Sequence, residues 1–432
     1  MSGVLTQRHR GTEKRTLVDS GVAWIGKIPE GWKAKKIAAL YDLRSEKCSD
    51  KEFKPLSVTM KGIVPQLEDV AKTNNGDDRK LVRAGDFVIN SRSDRRGSCG
   101  ISQLDGSVSL INTVLKPRDK MDPGYYNWVF HTSLFADEFY AWGHGIVDDL
   151  WTTRWSDMKS ILVMSPPLAE QQRIAAFLDR ECEKIDGLRG KIEKQIEKLD
   201  ELKKSTITEA VTKGLKRGRK MKPSGVEWIG DIPEEWKVAR VKHVTKLVTD
   251  GSHLSPDTEN GVKDFISVVD LKDSGIDFAH SLKTSESNYA YCVATNCQPI
   301  IGDVLISKDG SVGKTYVVRE SREFVVASSL VIMRPDEGRI MPDFLDYNLC
   351  ADFIQSRLQF LMHGSALKRV SVSKNANLAI TLPPLAEQKE IAEYLDKKCA
   401  AIDAAKEKCR VQLEKLAEYK KSLIYEYVTG KK

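Results

Sequence analysis

Two kinds of hydrophobic pattern share this chain. One consists of short runs rich in β-branched residues, bounded by Gly, Asp, Asn and Pro. These runs predict strands at residues 86–90, 107–115, 264–269, 303–307, 315–318 and 324–333. Helical periodicity accompanies them at 123–142 and 342–362, so each of two stretches predicts a mixed α+β domain. The other pattern repeats every seven residues. Leu178, Ile185, Leu188, Ile192, Leu199 and Leu202 occupy alternating a and d positions, as do Leu395, Ile402, Ala405, Cys409, Leu416, Tyr419 and Leu423. Gln195 and Gln412 are the polar exceptions, and Glu and Lys surround both stripes. Pro167 and Pro384 stand just before these runs, where a missing N–H costs a helix nothing. The pattern predicts two helices of about 45 residues, roughly 65–70 Å each. A helix that long needs cover for its stripe. Either the two pair with each other as an intramolecular two-helix rod, or each packs on its own globular domain.

The two textures recur because the chain is duplicated. SGVAWIGKIPEGW (20–32) returns as SGVEWIGDIPEEW (224–236), with ten of thirteen positions identical. PPLAEQQRIAAFLDRECEKID (166–186) returns as PPLAEQKEIAEYLDKKCAAID (383–403), with thirteen of 21 identical. EKLDELKKSTITEAVT (197–212) returns as EKLAEYKKSLIYEYVT (414–429), again 217 residues later. The interiors, 33–165 and 237–382, share only short echoes such as GDFVI (85–89) against GDVLI (302–306). A common frame with divergent interiors predicts one architecture presenting two different binding surfaces.

Composition narrows this little. The chain is 41% hydrophobic and 30% charged, which excludes a disordered or collagen-like chain. It holds no uninterrupted apolar stretch of about 18 residues, so no membrane helix is expected. The polar, basic start MSGVLTQRHRGTEKR is unlike a secretion signal, and a cytoplasmic protein is expected. The eight cysteines form no CxxC pair and are expected as reduced thiols without metal. The net charge of +7 permits a polyanionic partner without requiring one. GLKRGRKMK (214–222) concentrates five cations with no acid, and reads either as a solvated linker or as a phosphate contact.

The WIG…IP..W words, the PPLAEQ..IA..LD helix starts, the basic LKKS…V.KG exit and the duplicated layout resemble the specificity subunit of type I restriction-modification systems. The resemblance runs from Asp19 to Lys432. It implies two target recognition domains, 1–165 and 224–382, with spacer helices at 166–213 and 383–432 and a basic linker at 214–223. The implied fold is α+β, with two mixed α/β domains joined by two long helices packed as an antiparallel coiled coil, in a pseudo-two-fold internal repeat. Each domain would read one half of a split, asymmetric site in double-stranded DNA. The helices would dock two modification (methyltransferase) subunits, and restriction subunits would complete the complex. S-adenosylmethionine, ATP and Mg are implied on those partners, with adenine N6 as the methylated position, and no cofactor, metal or catalytic residue on this chain. A duplicated frame also suits two identical partners on physical grounds.

Reading base edges needs paired donors or acceptors on exposed loops. The first copy offers Asn90, Arg92, Arg95, Arg96 and Ser98 on one loop after a strand; a solvated turn is the alternative. His144 and Arg154, among Trp142, Trp151 and Trp155, are further candidates, although those aromatics suit a core equally well. At the matching place the second copy offers Lys308, Ser311 and Lys314. Asp250, Ser252, His253, His363, Lys368 and Arg369 are additional candidates, with the reservation that single histidines are more often structural.

Enzyme motifs fail on inspection. GSVGKT (310–315) has half a phosphate-binding loop, but the first glycine of that motif would fall at 308, which is Lys308, and a strand pattern follows where a helix should begin. SPPL (165–168) and LPPL (382–385) lack the acid or amide and the aromatic of adenine methyltransferase tetrapeptides. Two function classes therefore stand: a DNA-specificity subunit, or a coiled-coil scaffold whose two domains bind other ligands.

Overall fold

The computed structural model describes residues 15–66, 76–92, 96–145, 151–259, 261–272, 275–362 and 368–432. It divides into two units, Met1–Ile192 with Val411–Lys432, and Glu193–Arg410.

In the first unit, an antiparallel sheet takes the order Cys99–Ile101, Phe87–Asn90, Asn112–Pro117, Tyr41–Leu43. In the second, Thr315–Val317, Val304–Ser307, Leu330–Pro335 and Thr245–Asp250 repeat that order. A three-stranded sheet accompanies each; the second unit's includes a parallel pairing of Lys263–Ile266 with Phe324–Val326. Helices Pro123–Phe130 and Ser133–Ala141 cover the first unit's core, in which Tyr41, Phe87, Tyr126, Phe130 and Phe135 meet. Pro342–Cys350 and Asp352–Met362 do the same in the second unit, over Val304, Ile306, Val331 and Met333.

Several expected elements are split. Residues 107–115 are two strands, Gly106–Val108 and Asn112–Pro117, separated by a turn. Residues 324–333 are likewise Phe324–Val326 and Leu330–Pro335, and each of the two helical stretches is a pair of helices. The break in the first pair is a cap: the Thr132 hydroxyl accepts the Phe135 N–H, starting a new helix. In the second pair Ala351 is extended, which ends one helix and starts the next.

The long helices span Leu168–Lys213 and Leu385–Val428. Within the first unit the start of the first helix packs against the end of the second. Phe177 stacks on Tyr427 at 4.2 Å, Lys420 reaches Asp186 at 2.7 Å, and Tyr125 donates to the Val428 carbonyl at 3.0 Å. Within the second unit the roles exchange. Ile207, Ala210 and Val211 join Leu395 and Cys399 in the core, Lys203 reaches Asp403 at 2.7 Å, and Lys406 pairs with Asp200. Partner numbers fall as the first numbers rise, so the pairing is antiparallel. The alternative of each helix packing only on its own domain is therefore overturned, because each unit is closed by the far end of the other copy's helix.

The seven-residue stripe is buried only in part. Leu178, Ile185, Leu395, Ile402, Cys409 and Leu423 are buried, but Leu188, Leu202 and Tyr419 are about half exposed. An α-helix turns every 3.6 residues, so a fixed seven-residue stripe drifts about 20° per heptad off the seam. Cys182, Cys399 and Ile207, off the assigned stripe, are buried instead.

The duplicated words are polar latches. In copy one the Trp32 indole N–H donates to Glu170 of PPLAEQ at 3.0 Å, and Arg15 pairs with the same carboxylate at 2.7 Å. In copy two Trp236 donates to Glu387 at 3.0 Å and Arg219 grips it with both terminal nitrogens. The following glutamines, Gln171 and Gln388, donate to the carbonyls of Pro166 and Pro383 and accept the N–H groups of Asp122 and Met341. The GD echo is a third latch: Asp86 accepts two bonds from Arg44, and Asp303 two from Arg334. Arg219, read from sequence as part of a free basic linker, is thus a strut, whereas Lys216 and Arg217 are exposed.

Candidate nucleic-acid interface

The interface candidates begin where the central GD strand of each sheet ends. In copy one, Phe87–Asn90 runs into a loop that a second segment braces. Arg92 bridges to Thr152, and the Thr153 N–H donates to the Ser91 carbonyl at 3.0 Å. In copy two, Asp309 bridges to Arg369, and the Val370 N–H donates to the Lys308 carbonyl at 2.9 Å. These pairs stand 217 residues apart, as the PPLAEQ words do, so one backbone bracket occurs twice with different side chains on it.

On the first bracket Arg92, Arg96, His144 and Arg154 are exposed. Arg96 lies 3.8 Å over the Tyr140 ring and 3.5 Å from Asp137. Tyr140 stacks on Trp151 at 5.5 Å, and the Trp151 indole N–H returns to the Tyr140 carbonyl at 2.9 Å. Gly143 permits this closeness: a Cβ there would meet the indole nitrogen at 2.3 Å. His144 bridges to Thr152 and lies 3.7 Å from Asp157. Two candidates are corrected. Asn90 is buried and its side chain accepts the Arg92 N–H, while Ser98 is buried with its carbonyl accepting the Asn90 N–H. Both hold the loop and offer nothing to a duplex. Arg95 lies outside the described residues.

On the second bracket Lys308 is corrected most sharply. Its side chain is 3% exposed, and its ammonium donates to Asp250 at 2.7 Å. An ammonium so enclosed is a strut, because it would have to leave its carboxylate to reach a phosphate. His253 touches the same carboxylate at 3.0 Å. Burial pushes the Asp250 acid upward, but Lys308 and His253 outweigh it and hold the group below the usual carboxylate range. Ser252 is buried as well: its hydroxyl accepts the Leu254 N–H and its own N–H goes to Val326. Ser311, Lys314, Lys368 and Arg369 are exposed; Lys314 donates to the Leu271 carbonyl at 3.0 Å, and Arg369 pairs with Asp309 at 3.0 Å. His363 lies outside the described residues.

The structure thus gathers Arg92, Arg96, His144 and Arg154 on one bracket, and Ser311, Lys314 and Arg369 on or beside the other. Sequence reasoning missed Tyr140, which sits in a helix 44 positions from Arg96 and carries no local signal. It also took Asp250 and Lys308 as separate readers when they are partners. Among the described residues no cluster of three or more His, Cys, Asp or Glu could hold a metal ion, and no helix is long and apolar enough to cross a membrane. All eight cysteines are free.

This arrangement, two mixed domains on paired long helices, matches the fold of solved proteins. A chain from a type I R-M system superposes with a TM-score of 0.70 at 19% identity, covering 93% of this chain and 98% of that one. An HsdS subunit from Thermoanaerobacter tengcongensis superposes at 0.50 and 19% identity, covering 94% and 98%. Residues 233–415 match the family model for the type I restriction modification DNA specificity domain. A putative type I restriction enzyme MjaX specificity subunit from Methanocaldococcus jannaschii is 24% identical over 437 residues, covering 94% of this chain and 95% of that one. The EcoBI specificity subunit of Escherichia coli is 23% identical over 283 residues, covering 63% and 59%. The repeat carries the frame of the matched domain into the first half, and over nearly its whole length the chain is similar to type I restriction enzyme specificity subunits.

Proposed function

We propose that each unit reads one half of a split, asymmetric duplex site, and that the chain itself performs no chemistry. One observation carries this reading: the same backbone bracket occurs twice, and its side chains differ. Arg92 and Thr152 occupy the first bridge, and Asp309 and Arg369 the second. A bracket built from backbone hydrogen bonds tolerates such divergence, and divergent donors and acceptors select different base edges. The exposed readers proposed are Arg92, Arg96, His144 and Arg154 in the first unit, and His253, Ser311, Lys314, Lys368 and Arg369 in the second.

The repeated frame supports two copies of one partner. Leu168 and Leu385 are exposed at equivalent helix starts, and Leu202 and Tyr419 at equivalent places further along. Apolar side chains exposed twice at repeated positions favour two copies of one partner. The proposed partners are two modification subunits methylating adenine N6 with S-adenosylmethionine, and restriction subunits using ATP and Mg, all acting in the cytoplasm.

The test is methylation mapping in cells that express the chain with its modification partner. A single split, non-palindromic motif is the expected result. Replacing residues 33–165 with those of another family member should change one half of it. Absence of any motif, with duplex binding absent or insensitive to salt, would instead favour a protein-binding scaffold.

A further inference from the structure

The geometry points to Tyr140 as the residue that positions Arg96 for recognition by the first unit. The inference rests on the reading that this unit contacts DNA, and it names how one of its readers is held. A free arginine has many rotamers, and ordering them on binding weakens each contact made. Arg96 has a seat: its guanidinium carbon lies over the Tyr140 ring at 3.8 Å from the centroid, with Asp137 at 3.5 Å. The exposed ion pair is a weak restraint. The ring is the stronger one, because a guanidinium stacks on an aromatic face and keeps its donor edge outward.

Tyr140 is itself held by its neighbours. Trp151 stacks on it at 5.5 Å and bonds its carbonyl, and Thr153 donates to the neighbouring Phe139 carbonyl at 2.6 Å. The Tyr140 hydroxyl makes no hydrogen bond with the described residues, so the ring face is the working part. Asn90, Arg92, Arg96, Tyr140 and Trp151 line one small pocket beside that guanidinium. Counted from Pro123 and Pro342, the corresponding residue of the second copy is Gln359. The device therefore belongs to one half of the recognised motif.

The experiment uses the full chain with its modification partner. Methylation mapping defines the wild-type motif, and competition binding then compares duplexes carrying that motif with duplexes altered at one base. Tyr140→Leu keeps an apolar side chain but removes the π face. It should lower discrimination about ten-fold or more at a position in one half only, the loss expected for a bidentate arginine on guanine. Tyr140→Phe should restore it. Arg96→Lys, a surface change that keeps the charge, should mimic Tyr140→Leu while leaving the salt dependence of binding unchanged. Discrimination kept by Tyr140→Leu or Arg96→Lys, equal losses in Tyr140→Phe and Tyr140→Leu, or relaxation of both halves would each overturn the inference. A wild-type chain that specifies no split motif would remove the DNA reading itself.

Discussion

Glu387 is the sharpest place to test whether the duplicated words are structural latches. Its carboxylate accepts the indole N–H of Trp236, which has no exposed surface, and two bonds from Arg219. Glu387→Ala orphans a buried N–H, which costs about 1–3 kcal/mol. It also removes one partner of an ion pair whose side chains are 10% and 11% exposed. Breaking a well-buried pair costs about 3–5 kcal/mol. The two costs share one carboxylate and do not add, and Arg219 retains Glu235, so a total of about 3 kcal/mol is expected. At roughly 2–4 °C per kcal/mol for a unit of this size, the melting transition of the second unit should fall by about 6–12 °C. The repeat supplies its own control. Glu170 makes the same bond to Trp32, but it and Arg15 are 18% and 35% exposed. Solvent screening then reduces the ionic contribution, and Glu170→Ala should cost about 1–2 kcal/mol. Calorimetry and urea unfolding on both variants provide the measurement, with an unchanged denaturant slope confirming that stability alone has moved. If Glu387→Ala cost less than about 1 kcal/mol, or Glu170→Ala cost as much as its counterpart, the latch argument would be wrong.

Three further outcomes are expected. Burial, with Asp343 nearby, raises the Asp346 acid to about 6, so folding favours its neutral form; the carboxylate opposes folding above the ordinary carboxylate range and most fully above pH 6. Asp346→Asn, which copies Asn127 at the equivalent place, should therefore stabilise by about 1–2 kcal/mol at pH 8 and by almost nothing at pH 4, and equal effects at both would show an ordinary acid. Lys308→Met should lower stability but leave the salt slope of duplex binding unaltered; a slope reduced by about 0.9 would put Lys308 on a phosphate after all. Leu202→Asp with Tyr419→Asp should leave the melting temperature unchanged and abolish co-purification with the modification subunit, whereas normal assembly would remove these positions from the docking face.

What was legible in the sequence divides along a physical line. Interactions closed by repeated residues showed themselves, because a latch such as Trp236–Glu387 needs both partners and therefore preserves two words in each copy. The long helices showed themselves through the absence of Pro and the apolar period. Their faces did not, since half-exposed Leu202 and buried Cys182 differ only by the drift of the stripe and by what packs alongside. The break at Thr132 had a signal, a hydroxyl able to cap the following turn, whereas the break at Ala351 had none. Lys308 misled for a different reason. It directly follows the strand Val304–Ser307, and its carboxylate lies 58 positions away. A basic residue at a strand end therefore looks the same whether it meets a phosphate or an internal aspartate.

The same division explains how one frame could diverge at its reading loops without losing its fold. The bonds closing the two brackets, Thr153 to Ser91 and Val370 to Lys308, run between backbone atoms and place no demand on side-chain identity. The bonds holding each domain to its helices, by contrast, run through Trp, Glu, Arg and Gln side chains and tolerate little exchange. Substitution is therefore inexpensive where a duplex would be read and costly where the frame is joined. Copy one could place an arginine where copy two has an aspartate, at Arg92 and Asp309, because the backbone bonds close both brackets and the Asp309–Arg369 ion pair is an addition of copy two alone. A chain organised in this way can change what it recognises one half at a time while the frame that seats its partners stays the same.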